Sequence, residues 1–114
     1  MTILPTHLPY MEENIKTHPH SVRDVTPGDV ITFMYKLKKK YVLVLNNEYQ
    51  DKMHGLSLEM IDRPDLLKLI RDLYLTRDPK AFYRQIEDTV RRTDAYRTYD
   101  TDKISNITLY HYKR

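Results

Sequence analysis

Two runs rich in β-branched and aromatic residues, at 30–35 and 41–45, and a third of alternating character at 53–60 follow one another with connectors of only five and seven residues. Parallel neighbours need crossovers of a dozen residues or more, so this spacing predicts an antiparallel meander. Pro27-Gly28-Asp29 is a turn signature, and it launches Val30-Ile31-Thr32-Phe33-Met34-Tyr35, which has strand chemistry. Lys36-Leu37-Lys38-Lys39-Lys40 reads as a basic connector. Tyr41-Val42-Leu43-Val44-Leu45 is apolar on both faces, as a central strand should be, and Asn46-Asn47 opens the next turn. In the third run Leu56, Leu58 and Met60 are expected on one face, with Ser57 and Glu59 on the other.

Helical signals follow the strands. Asp62 is a candidate cap with Pro64 in the first turn, and Leu66, Leu67, Leu69, Ile70, Leu73 and Tyr74 form an apolar face. Asp78-Pro79 repeats the start signal, and Phe82, Ile86 and Val90 recur every four residues along a second helix to about Arg92. The tail returns to strand chemistry, with Ile107, Leu109 and His111 on one face and Thr108, Tyr110 and Tyr112 on the other. Residues 1–28 carry four of the six prolines and sustain neither period. They read as an extended arm lying on its own domain or on a partner, leaving residues 29–114 as a single α+β domain. The expected order is arm, three strands, two helices, one strand.

No cysteine is present in the 114 residues, which removes disulfide frameworks, thiolate metal sites and cysteine nucleophiles. The longest apolar run, at 41–45, is five residues, far from the ~20 of a membrane helix. The first nine residues lack the basic start and apolar centre of a secretory signal. A cytoplasmic chain, not secreted by an N-terminal signal, is therefore expected. The net charge of +3 is mild, and its excess lies in residues 80–114. Gly28 and Gly55 are the only glycines, so no glycine-rich phosphate loop exists and no nucleotide cofactor is expected. No Gly-x-Ser-x-Gly elbow is present either.

Short strands closed by a late one are the economy of a small SH3-like barrel or meander, here with two helices inserted before the last strand. Pro27-Gly28-Asp29-Val30-Ile31, followed by Tyr41-Val42-Leu43-Val44-Leu45, resembles the opening of the MazF/PemK-type toxin barrels. That family carries an Arg-Pro pair just before the second strand, and the arginine serves phosphate chemistry. Lys39-Lys40 stand there instead, and Asn46-Asn47 replace the family's hydroxyl residue after the strand. The resemblance thus implies the barrel without the ribonuclease site. His54-Gly55-Leu56-Ser57-Leu58 and Tyr96-Arg97-Thr98-Tyr99 resemble small uncharacterised proteins of tailed bacteriophages.

Each cluster with residue types suited to chemistry has a plainer alternative. His18-Pro19-His20 lacks the fixed spacing and companion ligands of a metal site, so solvated histidines and no metal are expected. His54 has Glu59, Asp51 and Tyr49 nearby in sequence but no spacing that makes it a general base. The simpler reading is a histidine satisfying a turn, with Gly55 required by a bulge or a close backbone approach. Lys36, Lys38, Lys39 and Lys40 suit phosphates or blunt a sheet edge. Arg91, Arg92 and Arg97 with Tyr96 and Tyr99 suit stacked bases or a protein hot spot. The expectation is a non-enzymatic interaction module, a small structural or assembly protein of a tailed-phage virion, its partners other protein subunits met through the arm and the tyrosine-rich surface. A nucleic-acid-binding SH3-like barrel contacting DNA or RNA is the alternative, and a MazF-like ribonuclease is disfavoured.

Overall fold

A computed structural model describes residues 11–13, 24–47, 51–76 and 94–112. The second helix expected from Asp78-Pro79 lies outside the described residues, as do His18, His20, Arg91 and Arg92. The architecture is mixed α+β. Strands β1 (Met11–Glu13), β2 (Val30–Tyr35), β3 (Lys38–Asn46) and β4 (Lys52–Ser57) precede helix α1 (Arg63–Leu75), and β5 (Tyr96–Asp100) and β6 (Ser105–Tyr112) follow it. All pairings are antiparallel, in the order β1-β6-β2-β3-β4-β5.

The turn at Thr26–Asp29 sets the start of β2. Gly28 takes φ 105°, a conformation an L side chain resists, and its N–H donates to the Val44 carbonyl at 2.7 Å. Val44 in turn donates to the Asp29 carbonyl at 3.0 Å, so the Pro-Gly turn is pinned near the C-terminal end of β3. At the far end of β2 the chain reverses within two residues. Lys36 and Leu37 have φ of 50° and 67°, the signs of a type I′ turn. Neither is glycine or asparagine, so the left-handed backbone costs about 1 kcal/mol or more at each. The sequence expectation of a five-residue basic connector is corrected here: Lys38, Lys39 and Lys40 belong to β3, paired with Tyr35, Met34 and Phe33.

Two bulges bend the sheet. Thr32 pairs with Thr108 but Met34 with Ser105, so β6 carries one extra residue, and Asn106 takes the left-handed φ of 55° that this needs. Likewise Val44 pairs with Gly55 and Asn46 with His54, leaving Leu45 as the extra residue of β3. The bending is large. Strands β2 and β5 are three positions apart, about 14 Å in a flat sheet, yet the rings of Phe33 and Tyr99 lie 5.2 Å apart and those of Tyr35 and Tyr99 5.3 Å. The Asp100 backbone N–H donates to the Tyr35 hydroxyl at 3.2 Å across the same gap. The sheet therefore rolls until β5 faces the end of β2, and side chains rather than a backbone ladder join them.

Period-two alternation divides the core between the faces. On the convex face Val30, Leu43, Leu45 and Leu56 pack with Leu66, Ile70 and Leu73 of α1, and Met11 and Tyr110 join them. On the concave face Ile31, Phe33, Val42, Val44, Met53, Tyr99 and Leu109 form a second cluster, capped by Val25. Gly55 sits inside this second cluster: a Cβ there would lie 2.3 Å from Val42 Cγ1 and 2.9 Å from the Leu43 carbonyl oxygen. Close approach thus explains this glycine, next to a bulge on the partner strand.

Other expectations need correction. The third run leaves strand geometry after Ser57 and turns through a 3₁₀ segment at Leu58–Met60, which leaves Met60 half exposed and Ser57 buried. Asp62 precedes α1, but its side chain makes no capping bond; the first turn closes through its carbonyl, which accepts from Leu66 N–H at 2.9 Å. Strand β5 has no counterpart among the sequence expectations, and residues 11–13 of the arm lie on their own domain, paired with β6.

Candidate functional site

Alternation along β3 places Lys38 and Lys40 on the same face as Val42 and Val44. The concave surface thus changes from apolar to cationic within one strand. Register carries the change across the sheet: Val42 pairs with Ser57, and Gly55 with Arg97, so Ser57 and Arg97 reach the same mouth. The roll brings Tyr35, Lys36 and Tyr99 alongside. Together with Glu59, Met60 and Thr98 these residues line a cleft of about 450 Å³ between the β2–β3 hairpin and β5. Its formal charges are Lys36, Lys38, Lys40 and Arg97 against Glu59 alone. A chain with a mild net charge therefore concentrates four cations at one concave mouth.

The aromatic floor is held edge to face. Phe33, Tyr35 and Tyr99 meet pairwise at 5.2–6.2 Å with their planes near perpendicular. Tyr99 is 5% exposed. Burial pushes its phenol up to about 12, while a hydrogen bond with Ser57 and the nearby Arg97 cation pull the other way. The phenol is neutral near pH 7 and serves as wall, not as acid or base. Lys36 Nζ lies 5.4 Å from the Tyr35 ring centre, a cation–π contact that turns this ammonium towards the cleft.

The structure separates the other sequence candidates from this group. Lys39 points to the convex side, its ammonium 5.9 Å from the Tyr41 ring centre. Tyr96 packs against the convex core and shares a hydrogen bond with Nδ1 of His54. His54 therefore meets a tyrosine hydroxyl through this nitrogen. Of the nine candidates, Lys36, Lys38, Lys40, Arg97 and Tyr99 meet in the cleft; Lys39 and Tyr96 do not, and Arg91 and Arg92 lie outside the described residues. Sequence reasoning missed Tyr35, Ser57 and Glu59. The available signal was the period of two running back from Val42, hidden because the Lys36-Leu37 turn has no glycine or asparagine to mark it.

A second depression is lined by Asp51, Asp100, Thr101, Asp102 and Lys103. Asp100 is ion-paired with Lys52 and, at 3.3 Å, with Lys103. Those ammonium groups hold its carboxyl below the ordinary range, and Asp100 raises Lys52 in return. Within this lining Asp100 and Lys103 are thus engaged in ion pairs. Among the described residues no group of three metal-ligating side chains is placed to hold an ion, and no helix is long and apolar enough to cross a membrane. Compared with known proteins, the chain matches no family model, no curated protein and no solved structure.

Proposed function

We propose that this chain is a non-enzymatic binding module whose concave cationic mouth takes the sugar–phosphate backbone of a nucleic acid, on a sheet rolled as a half-open SH3-like barrel. One observation carries the reading: Lys36, Lys38, Lys40 and Arg97, from a hairpin and a strand far apart in sequence, converge on one cleft opposed by a single carboxylate. Long flexible cations around a polar-lipped groove suit repeated phosphates better than one fixed small anion, and Ser57 and Thr98 add hydroxyl groups. The test is fluorescence anisotropy with single-stranded DNA, duplex DNA and RNA across a salt series. Four phosphate contacts predict a log–log salt slope of about −3 to −4. Lys38→Ala and Arg97→Ala, both at exposed positions, should each reduce that slope by about 1. Absence of binding at low salt, or binding indifferent to salt, refutes the reading.

A second reading, a structural or assembly protein of a tailed-phage virion in the host cytoplasm or the particle, is supported by a different feature. Among the described residues β5 is paired along one side only, by β4, and such an edge accepts a strand from a neighbouring subunit. Light scattering on the purified chain distinguishes the two. A defined oligomer that ignores nucleic acid favours assembly, and a monomer that gains mass with DNA favours the cleft.

A further inference from the structure

The tip of the β2–β3 hairpin combines two features that each work against stability. Lys36 and Leu37 both hold left-handed backbone, where an Asn-Gly pair would make the same turn without strain. Leu37 is also 96% exposed, an aliphatic side chain with no burial to offset its setting. Strained backbone of this kind gathers at contact sites, where function rather than stability decides the residue. The flanking residues Lys36 and Lys38 line the cationic cleft, so Leu37 stands on its rim. Tyr35 pairs with Lys38, the two residues bounding the turn. The tip is therefore presented in a fixed geometry and loses little freedom on docking.

We propose that Leu37 is an apolar wedge that enters between neighbouring bases of the strand whose phosphates Lys36 and Lys38 hold; this rests on the nucleic-acid reading of the cleft. Leucine is among the side chains that partly unstack base steps while basic groups hold the backbone. Charge complementarity favours this occupant over an apolar pocket on a protein. A pocket that took Leu37 would draw two ammonium groups to its rim, whereas a base step carries phosphates on its strand to meet them.

The experiment uses the full chain and oligonucleotides, single-stranded and duplex, carrying 2-aminopurine at one step. Wild-type protein should raise the 2-aminopurine emission as it binds. Leu37→Ala should abolish that rise and weaken binding about tenfold, with the salt slope unchanged because the phosphate contacts remain. Leu37→Gly should behave alike in binding while melting above the wild type. Lys38→Ala should do the reverse, lowering the slope while the remaining complex still unstacks. Emission unchanged on wild-type binding, or Leu37→Ala binding as the wild type does, overturns the wedge and leaves the cleft reading standing. Failure of the wild type to bind any strand at low salt removes both. Loss of self-association in Leu37→Ala with nucleic-acid binding intact would assign the tip to a protein contact and also overturn the wedge.

Discussion

Alanine at position 55 adds one methyl group, and the structure leaves no room for it. The new Cβ would stand 2.3 Å from Val42 Cγ1 and 2.9 Å from the Leu43 carbonyl oxygen, where carbon contacts settle near 3.5–4.0 Å. Val42 is β-branched and fully buried, so its side chain has few rotamers to escape into. Leu43 is paired with Leu56 in the β3–β4 ladder, so its carbonyl cannot retreat without disturbing that register. Overpacking of this kind costs about 1–3 kcal/mol, and two obstructed directions place it at the upper end. Gly55 has no left-handed φ to relieve, and the stiffer unfolded chain returns about 0.4–1 kcal/mol. The net expected loss is about 2 kcal/mol. With a urea slope of about 1–3 kcal/mol/M, the unfolding midpoint followed by circular dichroism should fall by about 1 M with the slope unchanged. Val42→Ala in the same background removes the nearer obstacle, so the double mutant should be less destabilised than the sum of the singles, by about 1 kcal/mol. A Gly55→Ala midpoint within about 0.2 M of the wild type, or strict additivity with Val42→Ala, would refute the argument from close approach.

Two further outcomes follow from burial. The Tyr99 phenol ionises in the fold only towards pH 12, against about 10 in an unfolded chain; the folded value is the raised one, so its contribution is complete below about pH 10 and is lost as pH rises towards 12. Denaturation midpoints measured from about pH 8 to 11.5 should fall more steeply for the wild type than for Tyr99→Phe, and equal falls would sink the assignment. Met11→Ala should cost about 2 kcal/mol or more, because Met11 is 4% exposed and packs in the cluster shared with α1. Thermal melting checks this, and an unchanged melt would mean that residues 11–13 contribute nothing to the core.

What the sequence reveals and what it conceals divide along physical lines. Residues 30–35 and 41–45 are legible because β-branched and aromatic side chains suit a pleated surface, and α1 because Leu66, Ile70 and Leu73 recur at helical spacing. Strand β5 is concealed because Tyr96 and Tyr99 face opposite sides while Arg97 and Thr98 are exposed, so no alternation survives. Strand β1 is three residues long and its partner lies some hundred residues away, beyond any local pattern. The cleft is half legible. Five lysine-rich positions announce a charge, but only the register of the hairpin sends Lys38 and Lys40 to one face and Lys39 to the other. That Arg97 joins them depends on the roll of the sheet, which two bulges set at Leu45 and Asn106.

The contact between β2 and β5 gives this molecule an adjustable aperture. Elsewhere the spacing of neighbouring strands is fixed by the backbone ladder at about 4.8 Å, and no side chain can alter it. Across the seam the separation is instead the thickness of the rings of Phe33, Tyr35 and Tyr99 plus one bond from Asp100 to the Tyr35 hydroxyl. Two edge-to-face contacts and one hydrogen bond amount to about 2–4 kcal/mol beyond the area they bury. Opening there unzips no ladder. The width of the groove is thus encoded by residues 35 and 99, and a change of ring size at either would alter that width while the six-stranded scaffold stays as it is.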